Sequence, residues 1–211
     1  MMSNTIDRLV EDLTPIKPLK NRDGIVLTLG LTAVFAAIVV MTLGIRGDIM
    51  MGMPHPMFFL RAGALLLLGV TSCYAVIAMG QPAVGNSFKG WIWALCAALL
   101  FPATAIVMAL IAAPDNMAVF VPRYGLECLS VSALVGCGIA TAQIGWLRRS
   151  APVALNRAGW LVGISSGALG AAAYGLHCPF NGIFYIGLWY TLSVMICAFL
   201  GRLIVPHLIR W

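Results

Sequence analysis

Six cysteines and three histidines are the residues of this chain best suited to chemistry beyond packing. No two cysteines stand as Cys-x-x-Cys, the spacing on which thiol–disulfide exchange relies. Cys73, Cys96, Cys137 and Cys197 sit amid apolar neighbours, where a free cysteine is ordinarily a small hydrophobe. Cys128 and Cys178 differ because polar residues stand beside them: Glu127 precedes the first, His177 the second, and His55 lies in a short loop expected on the same side. Thiolate, imidazole and carboxylate are ligands for soft and borderline divalent metals, so Cys128, Cys178, His177, His55 and Glu127 form a candidate metal set. The same two thiols have two other readings, as a structural disulfide and as inert boundary residues. Arg123, His177 and the start of the helix carrying Cys128 would each lend positive potential to that thiol and make it more reactive.

The elements that must position these groups are helices in lipid. Of the 211 residues, 61% are hydrophobic and 9% charged, a composition that water cannot solvate. It excludes a soluble enzyme, a receptor with a large ectodomain, and a nucleic-acid binder using the +6 charge as a phosphate-binding face. Six apolar segments, 25–45, 58–79, 91–113, 126–147, 158–176 and 183–205, are each near the ~20 residues a span requires. They predict an all-α, polytopic six-transmembrane-helix bundle over 25–211, with hairpin loops, and a possible kink at Pro102.

Positive residues near spans stay cytoplasmic. With both termini inside, ten Lys and Arg residues (Arg8, Lys17, Lys20, Arg22, Lys89, Arg148, Arg149, Arg157, Arg202 and Arg210) are cytoplasmic, against three outside, Arg46, Arg61 and Arg123. The polar start, with Asp7, Glu11, Asp12 and Asp23, is no cleavable signal. On this topology Cys128 opens span four and Cys178 follows span five, both at the outer face, where a metal or oxidant arrives first.

Residues 1–24 form the sizeable polar segment. Ile6, Leu9, Val10 and Leu13 fall at i, i+3, i+4 and i+7, an apolar stripe on a short amphipathic helix whose other face carries Asp7, Arg8, Glu11 and Asp12. Asn4 can cap it and Pro15 stops it. Membrane-surface helices usually carry Lys and Arg on the polar face, and three carboxylates with one Arg suit a groove on a basic soluble partner better than anionic lipid. Thr14 to Lys20 reads as a proline-stiffened tether whose lysines suit lipid headgroups. In span five, Gly159, Gly163, Gly167, Ala171 and Gly175 put a small residue at every fourth position, a face on which another helix can pack closely within the chain or in a homo-oligomer.

The run from Leu9 to Leu19, Arg61, Cys128, Arg149-Ser150-Ala151-Pro152, Tyr174-Gly175-Leu176-His177-Cys178-Pro179, Trp189-Tyr190 and the closing Arg210-Trp211 together resemble the NrsF family, negative regulators of the extracytoplasmic-function (ECF) sigma factor SigF. The resemblance covers almost the whole chain. It implies a bacterial inner-membrane anti-sigma factor of six spans, which holds the sigma factor through its cytoplasmic N-terminal segment. It also implies that two outer cysteines, here Cys128 and Cys178, are needed to release the sigma factor under heavy-metal or oxidative stress. The chain departs from the family pattern in carrying Phe180-Asn181-Gly182 where an acidic residue often follows the Cys-Pro.

The implied partners are the sigma factor and membrane lipid, with no direct contact to nucleic acid. No constitutive cofactor is expected, and a heavy-metal ion enters only as a signal. The competing function is a small multi-span transporter or channel, weakened by the scarcity of charge at mid-membrane depth. A thiol oxidoreductase lacks close-spaced cysteines, and no nucleophile, base and orienting group stand together, so no enzyme is expected.

Overall fold

The computed structural model describes residues 20–80, 103, 122–150, 152 and 154–210. The expected N-terminal helix with Ile6, Asp7, Leu9, Val10, Glu11, Asp12, Leu13 and Pro15, and the expected third span with Pro102, apart from Ala103, lie outside the described residues. Among the described residues the architecture is all-helical, without strands. In chain order the helices are α1 (Asn21–Leu43), the short α2 (Gly47–Met50), α3 (Pro56–Ala78), α4 (Pro122–Arg148), α5 (Leu155–Tyr174), α6 (Ile183–Tyr185), a π-helical turn (Ile186–Tyr190) and α7 (Thr191–Leu208). Among the described residues four helices are long and apolar enough to cross a membrane: Asn21–Leu43, Pro56–Ala78, Arg123–Arg148 and the continuous Ile186–Leu208. The chain is therefore a membrane protein.

Helix ends follow local chemistry rather than the limits of the apolar runs. The run that reaches Ile45 is cut at Gly44, whose φ of +85° is a left-handed conformation that suits glycine, and whose N–H donates to the Val40 carbonyl at 3.0 Å. α3 starts at Pro56, which needs no N–H partner, and His55 caps it by accepting the Met57 N–H at 3.2 Å. α4 starts at Pro122, four residues before the expected 126, so Cys128 lies in the second turn rather than at the opening.

α5 is the central post, packed against α7, α4, α3 and α1. Its glycines and Ser165 and Ser166 make it less apolar than α1, α3 and α7, which a helix surrounded by protein tolerates because little of it meets lipid. Gly163 lies against the Cys197 carbonyl and the Ala198 backbone, and Gly159 so close to Gly201 that a Cβ would stand 2.7 Å from its carbonyl oxygen. Gly167 meets Val194 and Cys197, whereas Gly170, on another face, meets Ser132 and Gly136 of α4. The small-residue stripe is thus occupied inside the chain, mainly by α7. Large apolar side chains exposed on α1, α3 and α7, such as Val26, Leu67 and Phe199, present the surface that acyl chains would cover.

At mid-bundle a polar chain crosses three helices: the Gln143 amide donates to Ser165 Oγ at 2.8 Å, and the Ser165 hydroxyl donates to the Gly69 carbonyl at 3.0 Å. Interhelical hydrogen bonds in such surroundings contribute about 0.6–2 kcal/mol. Ser165→Ala should therefore destabilise the chain by about 1 kcal/mol in detergent unfolding, with its helical content unchanged.

Candidate functional site: a loop held by two buried arginines

The loop after α5 carries Gly175-Leu176-His177-Cys178-Pro179-Phe180-Asn181. Its carbonyls face the same end of the bundle as the α1–α3 connection, and two arginines from that side reach them. Arg61, in the second turn of α3 and 2% exposed, donates to the carbonyls of Phe180 at 2.9 Å, Gly175 at 2.8 Å and Cys178 at 3.4 Å. Arg46, 4% exposed, donates to the Cys178 carbonyl at 3.0 Å and to Asn181 Oδ1 at 3.1 Å. The Arg46 backbone N–H binds the Leu176 carbonyl at 3.1 Å.

A buried cation is costly unless its surroundings supply negative potential. Arg61 obtains it from the carbonyls that end α5, where the helix dipole favours positive charge. It also lies over the rings of Tyr190 at 5.0 Å and Phe58 at 6.0 Å. Arg46 has a carboxylate as well: its Nε and Nη2 donate to the two oxygens of Asp48 at 2.5 and 2.7 Å, and its guanidinium sits over Phe58 at 5.2 Å. That guanidinium, with N–H groups of Ile49 and His55, holds the Asp48 carboxyl down at about 2. A depressed acid stabilises the fold above its unfolded value near ~3.9 and loses that contribution as pH falls through the folded value. The Asp48 carboxyl carbon should therefore titrate by NMR near pH 2, with the pair intact through the mildly acid range.

Beneath the loop, Cys128 and Cys178 lie in one buried cluster with Tyr174, Tyr185, Trp189 and Tyr190, at 0% and 1% exposure. Ser132, Tyr190, Cys178 and Arg61 are the polar neighbours of Cys128. The positive charge acting on this thiol is that of Arg61; Arg123 is exposed, and His177 is turned elsewhere. Both thiols are free, as are Cys73, Cys137 and Cys197. The π-helical turn brings adjacent Trp189 and Tyr190 into the cluster together, Trp189 pressed on Gly125 of α4. Phe180 closes the top between Tyr185 at 4.9 Å and Tyr124 at 5.3 Å, and the Tyr185 hydroxyl donates to the Tyr124 carbonyl at 2.9 Å.

The other members of the sequence-derived metal set stand apart from the thiols. His177 Nδ1 is 3.0 Å from the Gly44 carbonyl, which can only accept, so that nitrogen carries the proton. Glu127 is exposed on α4, and His55 is exposed at the start of α3. Among the described residues no three His, Cys, Asp or Glu side chains are grouped to hold a metal ion. Of the helix-packing residues, Gly159, Gly163 and Gly167 face α7, Ala171 lines the cysteine cluster, and Gly175 is the α5 cap that Arg61 binds.

Sequence reasoning missed the clamp. Its signal was the few arginines that the expected topology leaves on the side poor in positive charge, where a cation needs a local reason. Asn181 Oδ1 accepts from Arg46 at 3.1 Å, and Asp48 supplies the carboxylate that pairs with the same guanidinium.

The chain is 32% identical over 191 residues to the anti-sigma-F factor NrsF of Caulobacter vibrioides, covering 88% of this chain and 87% of that protein. It is 28% identical over 178 residues to the probable anti-sigma-F factor NrsF of Azospira oryzae, covering 80% and 79%. No solved structure matches it. The family described as negative regulator of sigma F matches residues 9–211, and the chain, a helical membrane protein with a cysteine pair beneath an arginine-held loop, belongs to that family.

Proposed function

We propose that the chain is an inner-membrane anti-sigma factor of six spans with both termini cytoplasmic, which sequesters an ECF sigma factor through residues 1–24 and releases it when Cys128 and Cys178 sense a heavy metal or an oxidant. The observation that carries the sensing step is that thiols from α4 and from the loop after α5 share one buried cluster under a loop fixed by Arg46 and Arg61. Bridging them pulls α4 toward the end of α5. A soft metal ion does this by replacing the two thiol protons; a disulfide does it by giving two electrons and two protons to an external oxidant. Because the pair is buried, the reagent reaches it only as the loop opens, so the clamp sets the threshold of the response.

At the opposite ends of the same helices, Arg148 of α4 donates to the Leu208 carbonyl at 2.8 Å, Arg202 of α7 to Asn156 of α5 at 2.8 Å, and Gly24 of α1 lies against the Trp146 ring. A shift of α4 against α5 therefore reaches the start of α1, to which the sigma-binding segment is joined. The test is a sigma-dependent reporter in cells carrying Cys128→Ser, Cys178→Ser or both. Repression should persist while induction by cadmium, chromate or an oxidant is lost. A double variant that responds like the wild type contradicts the sensing role, and loss of the folded protein would make the pair structural.

A further inference from the structure

The connection between α1 and α3 reads Met50-Met51-Gly52-Met53-Pro54-His55-Pro56-Met57, a methionine density that the metal set did not use. Met50, Met51 and Met53 are 75%, 76% and 82% exposed. The backbone beneath them is fixed. Gly52 turns the chain with a φ of +71°, the Met53 N–H donates to the Asp48 carbonyl at 3.0 Å, and the His55 N–H donates to the Asp48 carboxylate at 3.3 Å. Beside Met53 opens a cavity of about 490 Å³ that His55, Asp48, Pro179 and Asn181 also line.

The harder donors of this loop are engaged. Both Asp48 oxygens hold Arg46, and His55 Nδ1 accepts the Met57 N–H at 3.2 Å, which puts the proton of the neutral ring on Nε2. The open donors are uncharged thioether sulfurs on side chains with three rotatable bonds, able to converge on one point. Thioethers select Cu(I), whereas Zn(II), Ca(II) and Mg(II) require thiolate, imidazole or oxygen ligands. We propose that Met50, Met51 and Met53 form a binding site for a soft monovalent metal cation, Cu(I) or its analogue Ag(I). The step is ligand exchange alone, with no electron transferred. Met53 shares the cavity wall with Pro179 and Asn181, so an ion on its sulfur borders the loop that Arg46 holds. That the ion would arrive from outside the cell rests on the proposed topology; the ligand set does not.

The test uses the full chain in phospholipid nanodiscs with its methionine methyls labelled with ¹³C, titrated with Ag(I) and separately with Zn(II). Single Met→Leu variants assign the resonances. The methyls of Met50, Met51 and Met53 should shift with Ag(I) and ignore Zn(II), while Met41 and Met195, exposed on α1 and α7, stay still. Residue resolution separates this site from silver bound at cysteines. Each single Met→Leu variant keeps apolar volume, so the spectrum elsewhere should be retained while the two remaining loop methyls need at least about tenfold more Ag(I) to shift. Loop methyls that silver leaves unmoved overturn the proposal. So do loop methyls that respond to the lipid composition of the disc and not to silver, which would make the three side chains interfacial anchors. Neither result bears on sigma-factor binding, so this site and the regulatory reading stand or fall separately.

Discussion

Replacing Gly163 by leucine is expected to prevent the bundle from assembling. A Cβ at this position would collide with the Cys197 carbonyl and the Ala198 backbone, and neither is the far end of a flexible side chain that can turn away. The helices must separate, and separation costs the contacts of α5 with α7 along the whole Gly159 to Gly167 face. Overpacking usually costs 1–3 kcal/mol and more where backbone blocks relaxation, so a loss on the order of 4 kcal/mol is expected. Gly63→Leu and Gly145→Leu are the controls, because a Cβ at either meets nothing within 4 Å. Thermal unfolding in detergent should show the Gly163 variant largely unfolded and the controls near wild type. Equal stability of all three would mean that α5 and α7 do not approach so closely.

Arg61→Met should produce the second largest effect. The substitution keeps apolar bulk but leaves the carbonyls of Gly175, Cys178 and Phe180 without that donor, in a region already closed by aromatic rings. Hydrogen bonds to charged groups contribute about 1.5–3 kcal/mol each and are not additive here, so a total of roughly 3–5 kcal/mol is expected. The local consequence is more specific: the loop detaches and Cys178 becomes reactive. Maleimide labelling in membranes, resolved by peptide mass spectrometry, should show Cys178 and Cys128 modified faster than in the wild type. Arg61→Lys should restore only part of the protection, because an ammonium cannot reach three carbonyls from one plane while lying over Tyr190. Unchanged labelling in Arg61→Met would mean that the clamp does not bury the pair.

These effects indicate how far the residues alone could be read. The apolar runs located the described long helices because hydrocarbon demands length and composition above all. They misplaced helix ends, since Gly44, His55 and Pro122 act through backbone conformation and capping rather than hydropathy. The glycine stripe announced close packing but carried no information on which helix fills it; a small face accepts any partner, and α7 answers it with Gly201 and Ala198. Cys128 and Cys178 were legible as a pair from the polar residues beside them, yet their burial was not, because it depends on Tyr174, Tyr185 and Tyr190, which lie near Cys178 in the chain, closing over the remote Cys128 as well. The metal set failed to gather for a related reason. Adjacency in sequence put Glu127 beside Cys128 and His177 beside Cys178, but neighbours on a helix or tight turn point in different directions, and His177 goes to Gly44. Arg46 and Arg61 were visible only as exceptions to a charge rule. What they bind is set by the carbonyls of a loop more than a hundred residues away, which no local pattern encodes.

Whether the N-terminal stripe holds a sigma factor is measured most directly by co-purification from membranes of cells expressing the full chain, wild type beside Leu9→Asp and Leu13→Asp. Burying a leucine in a groove contributes roughly 1.5–3 kcal/mol, which corresponds to about 10–150-fold in affinity. A sigma factor should elute with the wild type and be lost from both variants, with equal amounts of each protein in the membrane and constitutive expression of sigma-dependent genes. A sigma factor absent from the wild-type eluate, or retained equally by both aspartate variants, would contradict the proposed mode of regulation.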